Sequence, residues 1–428
     1  MPRRRSYQAE LPAHLNAVIT YLGWFINFAV VRIKYPPVLF SMVSSVKFDP
    51  VSEAKKIEDE IIAWRRDFHT WPELGYEEER TSKIVEEHLR GWGYRIKRVG
   101  TGIIADIGEG ERTIALRADM DALPIQEEND VPYRSRVPGK MHACGHDAHT
   151  AMLLGAGKII AEHIEEFNGR VRLIFQPAEE GGNGALKMIE GGALEGVNAI
   201  FGLHVWTDLP SGVIGIREGP FLAGAGFFEA KIIGKGGHGA SPHETVDPIP
   251  IASEIVLALQ TIVSRNVDPI ETAVVSVTAI NGGTAFNVIP EEVSLKGTFR
   301  FYKNEVGELL KRRIKEITEG ISSAHGAGAE LSVHDLTPPT INDPRMAQFA
   351  REVAEKYGLR YGDVKPSMGA EDFAYYLQRV PGAFLTLGIR NEEKGIVYPA
   401  HHPKFNVDED VLYLGTAMEV ALALEFLR

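Results

Sequence analysis

Between Phe227 and His334 the hydrophobic pattern spells strand, helix, strand, strand, helix, strand. Phe227–Ile233, Ala273–Ile280 and Glu330–His334 read as strands, and Ile251–Arg265 and Glu305–Ile321 as helices. Val293–Tyr302 supplies the remaining strand, with Val293, Leu295, Phe299 and Phe301 in alternation. That order is the ferredoxin-like split unit, about the size of one small domain. It therefore reads as an insertion, with another domain built from the chain on either side.

The flanks support this division. Ile57, Ile61, Trp64 and Phe68 recur at helical spacing until Pro72 and Gly75. Ile84, Val85, His88, Leu89 and Trp92 mark a second helix, stopped by Gly93. Ile103–Ile107, Thr113–Arg117, Val171–Phe175 and Ala199–His204 read as strands of a mixed sheet, and Ala151–Ala161 as a buried helix. After the insertion, helices are expected around Met346–Val353, over Glu371–Arg379 and over Asp408–Leu427. The expected division is an N-terminal extension (1–51), a first catalytic part (52–225), the insertion (226–336) and a second catalytic part (337–428).

The extension is basic at Pro2–Arg5 and apolar over Ala17–Val31. The apolar run falls short of the ~20 residues that span a bilayer. No small-residue cleavage site follows it. A membrane anchor, an export signal and sequence upstream of the true start all fit; the ordinary soluble pattern beginning at Met42 favours the last, with a cytoplasmic location. A formal net charge of −12 argues against a nucleic-acid partner. The single cysteine, Cys144, rules out an intrachain disulfide.

Five segments carry metal-type side chains. Cys144–His149 (CGHDAH) combines a thiol with imidazoles, a donor set that suits zinc or a similar metal, and Gly145 permits the turn that aims them inward. Glu179 and Glu180 follow a strand; adjacent carboxylates repel, so they need exposure or a counter-charge such as a metal. On extended backbone the two would point apart, one to a metal and one to the attacking water. A solvated acidic turn fits that pair equally. His204 closes a buried strand, where a satisfied core histidine is common. His401 and His402 precede Pro403. Asp119 and Asp121 share one face and suit support of histidine ligands. Together these segments gather at predicted strand ends, where α/β sheets place their sites.

At these residues the chain resembles the two-domain zinc aminopeptidase-like metallohydrolases, in the amidohydrolase branch. That branch holds N-acyl-amino-acid amidohydrolases, carboxypeptidases, hippurate hydrolases and plant auxin-conjugate hydrolases. The resemblance rests on RADMDALP (117–124), MHACGHDAHT (141–150), FQPAEEGG (175–182), GLHVW (202–206), GKGGHGASPHETVDP (234–248), FNVIP (286–290), MGAEDF (368–373) and AHHPKF (400–405). It implies an α/β fold: a mixed-sheet catalytic domain with the inserted unit as lid and dimerisation domain. It also implies Cys144, His146, Glu180, His204 and His401 as ligands of two divalent ions, with zinc favoured and manganese, cobalt or nickel as alternatives. His401 is preferred to His402 on the family pattern alone.

The resemblance further implies Glu179 as general base and His238 as oxyanion donor, often supplied by a partner subunit. Asn287 is a candidate assistant. Arg300 fits either a substrate-carboxylate clamp or a surface salt bridge, and Glu371 either a ligand-orienting role or a helix cap. The expected reaction is hydrolysis of an N-acyl amino acid or of the C-terminal peptide bond of a short peptide, in a homodimer or larger homo-oligomer. A non-catalytic amino-acid or peptide binder on the same scaffold is the rival reading.

Overall fold

The computed structural model describes residues 48–428; the basic and apolar segments at the N-terminus lie outside the described residues. Phe48 is buried and stacked on His163. Asp49 accepts from Ser52 N–H and caps the helix Pro50–Lys56, which has proline at its first position.

Two sheets organise the molecule. The larger has eight strands, in the order Arg95–Val99, Gly102–Gly108, Arg170–Gln176, Thr113–Asp119, Ala199–Pro210, Gly382–Arg390, Ile214–Gly215 and Tyr361–Gly362. Its four central strands are mutually parallel. Thr113–Asp119 is buried at every position, as a strand covered on both faces must be. The helix His146–Glu162 lies against it, and from His146 to Ile160 only Lys158 escapes burial. An all-round apolar helix of this kind is stable only inside a core. The helices Glu58–Thr70 and Leu412–Phe426 pack on it. Glu58–Thr70 buries Ile61 and Phe68, and on the same face Arg65 and His69.

The smaller sheet holds Ala273–Gly282, Glu292–Phe301, Gly224–Ile233 and Gly328–Thr337, in that order and wholly antiparallel. The helices Pro248–Arg265 and Asn304–Ala324 close a separate core with it. Element order matches the β-α-β-β-α-β pattern read from the sequence.

Three elements depart from expectation. Gly382–Arg390, which pairs with Ala199–Pro210, carries no period-two pattern because both of its faces are buried. His204 does not end its strand: the strand continues to Pro210, with His204 opposite Thr386. The helix expected over Glu371–Arg379 shrinks to Ala374–Leu377, because Glu371 and Asp372 are engaged elsewhere. Among the described residues, no helix is long and apolar enough to cross a membrane.

Candidate metal centre

Gly145 fixes the first part of the site. It sits at φ 90°, a left-handed conformation, and a Cβ there would lie 2.3 Å from Val205 Cγ2. Only glycine permits the close turn that brings Cys144 and His146 to one side. His146 Nδ1 is 2.8 Å from Asp121 O. A carbonyl only accepts, so Nδ1 carries the proton and Nε2 presents a lone pair. That Nε2 is buried and makes no hydrogen bond. His204 repeats the arrangement: Nδ1 faces Val205 O at 2.6 Å, and Nε2 lies 3.5 Å from Cys144 Sγ.

The acidic pair is placed by strain. Ala178 has φ 51° and Gly181 φ 83°, and Glu179–Gly182 is a kinked turn, not extended chain. The pair is therefore placed by a turn and not by strand alternation. A non-glycine left-handed residue costs roughly 1–2 kcal/mol. Three hydrogen bonds offset it: Ala178 N–H donates to Glu78 Oε1, while Glu179 N–H and Glu180 N–H donate to the two oxygens of Asp121 at 2.9 and 3.0 Å. His401 is left-handed as well, at φ 67°. Its N–H donates to Ala143 O at 2.7 Å, and its Nε2 lies 3.0 Å from Glu180 Oε1. His402 turns away, accepting from Lys404 N–H and stacking on Tyr398.

Two donor triads result: Cys144, His146 and His204, and Cys144, Glu180 and His401, with donor atoms in each within 4.8 Å of one another. They share Cys144. A third group, Asp119, His146 and His149, is consumed internally. His149 Nδ1 lies 2.6 Å from Asp119 Oδ1, and its Nε2 accepts from Val205 N–H, so neither nitrogen is spare. Burial, reinforced by Glu180, pushes the Cys144 thiol up to about 12. A thiolate at this position would thus call for a cation beside it. Thiol, three imidazoles and a carboxylate converge with a lone buried Nε2 among them, and this fits a pair of borderline divalent ions.

Glu179 borders both sides: its carboxylate, that of Glu180 and His146 have donor atoms within 4.8 Å of one another. The Glu179 carboxylate, Glu371 and Asp372 likewise have oxygens within 4.8 Å of one another. Burial, then Glu371, Asp372 and Glu180, raise its pKa well above the ordinary carboxylate value. Arg117 anchors this cluster, donating to Asp119 at 2.7 Å, Glu371 at 3.0 Å and Asp372 at 3.1 Å. Glu371 also accepts from Phe373 N–H, just ahead of the short helix Ala374–Leu377. The reach of Arg117 to Glu371 and Asp372, and the grip of Asp121 on Glu179 and Glu180, escape sequence reasoning, because those partners lie more than fifty residues apart.

His238, Asn287 and Arg300 are not brought to this cluster. His238 and Asn287 are exposed on the paired segments Gly237–His238 and Val288–Ile289 and the turn beside them. Arg300 is part-buried on its strand and bonds Thr298 and Phe299 O.

Similarity to known proteins agrees with this geometry. The sequence profile of peptidase family M20/M25/M40 matches residues 115–425. An IAA-amino acid hydrolase of Arabidopsis thaliana is 43% identical over 424 residues, covering 96% of each chain. Thermostable carboxypeptidase 1 of Saccharolobus solfataricus is 42% identical, over 88% of this chain and 97% of that one. A solved dinuclear metal-binding M20 peptidase from Bacillus subtilis superposes with a TM-score of 0.78 at 38% identity, covering 87% of this chain and 99% of its own. With matches of this extent on both sequence and fold, the chain belongs to peptidase family M20/M25/M40 and is a metallohydrolase.

Proposed function

We propose that the protein hydrolyses the amide bond of N-acyl amino acids, or the C-terminal peptide bond of short peptides, and releases a free amino acid. The observation that carries this reading is the pair of donor triads sharing Cys144, with Glu179 directly beside them. The names of two relatives, an amino-acid-conjugate hydrolase and a carboxypeptidase, supply the two substrate forms. The ligand set is Cys144, His146, Glu180, His204 and His401, with Cys144 as the shared ligand. Zinc is the favoured ion by donor type, and manganese, cobalt and nickel are the competitors.

When bound, the ions polarise the amide carbonyl and acidify the attacking water. Glu179 removes the proton from that water and returns it to the leaving nitrogen. Asp121 holds the turn that aims Glu179, through its bonds to two backbone N–H groups. His238 donates to the developing oxyanion. Its Nδ1 accepts from Ala240 N–H, which leaves Nε2 as the donor. Asn287 sits beside it, and Arg300 is assigned the substrate carboxylate.

We further propose that the four-stranded unit is a lid, with residues 226–336 as its span, and that it forms a homodimer. Ala273–Gly282 is an edge strand, and Leu257, Ile270, Ile280 and Phe286 stand exposed nearby in sequence and fold. A cytoplasmic setting is proposed because it keeps the Cys144 thiol reduced.

The test is a panel of N-acetyl, N-benzoyl and N-blocked dipeptide substrates. Each is run on metal-stripped enzyme re-supplied with one metal at a time. Release of a free amino acid by the restored enzyme is expected. Metal-dependent binding of the panel without turnover would instead identify an amino-acid or peptide binder.

A further inference from the structure

One segment beside the site has connections that this mechanism does not use. The chain passes between the two sheets twice: at Ala223, ahead of the strand Gly224–Ile233, and at Pro338–Pro339, after Gly328–Thr337. Both crossings are bonded to the same short stretch, Ser367–Tyr375. On the outgoing crossing, Ser367 N–H donates to Phe221 O at 2.9 Å, and Ala223 N–H donates to Gly369 O at 2.9 Å. On the return, Tyr375 Oη donates to Leu336 O at 2.8 Å, and Thr340 Oγ1 donates to Glu371 O at 3.4 Å.

The middle of that stretch reaches the base. Asp372 N–H is directed at Glu179 Oε1, at 3.4 Å. The Asp372 carboxylate is buried and accepts from Arg117, from Gln176 Nε2 at 2.8 Å and from Ala185 N–H at 2.9 Å. Tyr376 Oη donates to Gln176 Oε1 at 3.0 Å. Asp372 is thus locked to the large sheet on one side, while three residues later Tyr375 is tied to the small one. Clefts of about 240 and 460 Å³ border Tyr375 and Ala374–Leu377 where the two units meet, so packing across that junction is incomplete. A directional hydrogen bond in such a place fixes a position that surrounding contacts do not.

We propose that Tyr375 is a positioning residue for the hydrolysis, acting through Asp372 to set where the Glu179 carboxylate stands relative to the four-stranded unit. The proposal rests on Glu179 being the base. Removing the hydroxyl frees the Ala374–Leu377 turn from the strand Gly328–Thr337. Asp372 keeps its bonds to the large sheet, but its N–H and the Glu179 carboxylate beside it are no longer fixed relative to the four-stranded unit. Misplacing a catalytic group by about 1 Å costs up to ~10²-fold, and a partial loss of placement is expected here.

The test is Tyr375→Phe, which deletes one oxygen. Expected are a fall in kcat of about tenfold with KM within about twofold, and unchanged metal content and thermal midpoint. Tyr357→Phe, the same change at a hydroxyl bonded to Glu425, is expected to match the parent. In a Glu179→Asp background the Tyr375→Phe effect should largely vanish, since both changes act on one carboxylate. Full kcat in Tyr375→Phe beside an inactive Glu179→Gln would overturn the tie and leave the base reading standing. A tenfold loss repeated in full in the Glu179→Asp background would overturn it too, by showing that Tyr375 acts elsewhere. Near-parental turnover of Glu179→Gln would overturn the base reading, and the tie with it.

Discussion

The two sheets hold their polar residues in opposite states. On the large sheet the donors cluster, and their remaining atoms are committed: His146 Nδ1 to Asp121 O, His204 Nδ1 to Val205 O, and Asp121 to the acidic turn. In the inserted unit His238 and Asn287 are exposed on a separate two-stranded ribbon and its turn, and the Arg300 side chain bonds its own strand in the small sheet. The first arrangement is complete within one chain. The second lies apart from that cluster, so on the proposed reading its side chains act when a substrate, or a second copy of the chain, meets them. The difference separates what one chain's fold settles from what assembly must add.

The sharpest way to break this comparison is Glu179→Gln. It removes the base and leaves every proposed ligand in place. Turnover should fall by ~10²–10⁴-fold, with bound metal unchanged on elemental analysis. Loss of metal together with activity would move Glu179 from the base role to a ligand role.

Next in size is His238→Ala. An oxyanion donor is worth ~10²–10³ in kcat, and no change in metal content is expected because the residue stands apart from the cluster. Mixing this variant with Glu179→Gln separates two geometries. If His238 serves the partner's site, two weak proteins regain turnover when subunits exchange. If it serves its own chain, the mixture stays at the level of its parts.

The large sheet offers the third test. Asp119 accepts from Arg117 and from His149, and stands 3.7 Å from His146 Nε2. Asp119→Asn should weaken metal binding by ~10–100-fold, as removal of a partner behind a metal ligand does. Competition with a chelator of known affinity measures it. An unchanged affinity would show that His146 and His149 hold their orientation without the carboxylate.

The same contrast explains what was legible in the sequence. Cys144, His146, Glu180, His204 and His401 are singled out through the family motifs, since the residues alone leave a core histidine at 204 and a solvated turn at 179–180 equally open. The central strand Gly382–Arg390 is silent because burial on both faces erases alternation. His204 reads as a strand terminus only because the polar Thr207 and Asp208 hide the continuation to Pro210. Alternation would point Glu179 and Glu180 apart, whereas the kinked turn after the left-handed Ala178 leaves the two carboxylates within 4.8 Å of each other and of His146. Arg117, His149 and Tyr375 leave no local signal: each role depends on an atom distant in sequence, Glu371 or Asp372, Val205 N–H and Leu336 O respectively. Local pattern reveals donors, and only the folded chain reveals what holds them.

The smallest effect on the folded chain should come from Leu257→Glu, yet it probes the open half of the comparison most directly. Leu257 lies on the helix Pro248–Arg265, whose buried face is Ile251, Ala252, Ile255, Leu259 and Ile262. Leu257 itself is 72% exposed, so the substitution adds no buried charge within one chain. Unfolding stability should move by no more than ~0.5 kcal/mol. If the small sheet and its helices form the dimer face, the new carboxylate must lose water without gaining a partner, and association weakens. Sedimentation should then show monomer at concentrations where the parent is dimeric. Where His238 acts across the dimer, turnover falls with the dimer fraction while metal content holds. A variant that stays dimeric and fully active would place the contact on another face of the unit and leave Leu257 as an ordinary exposed leucine.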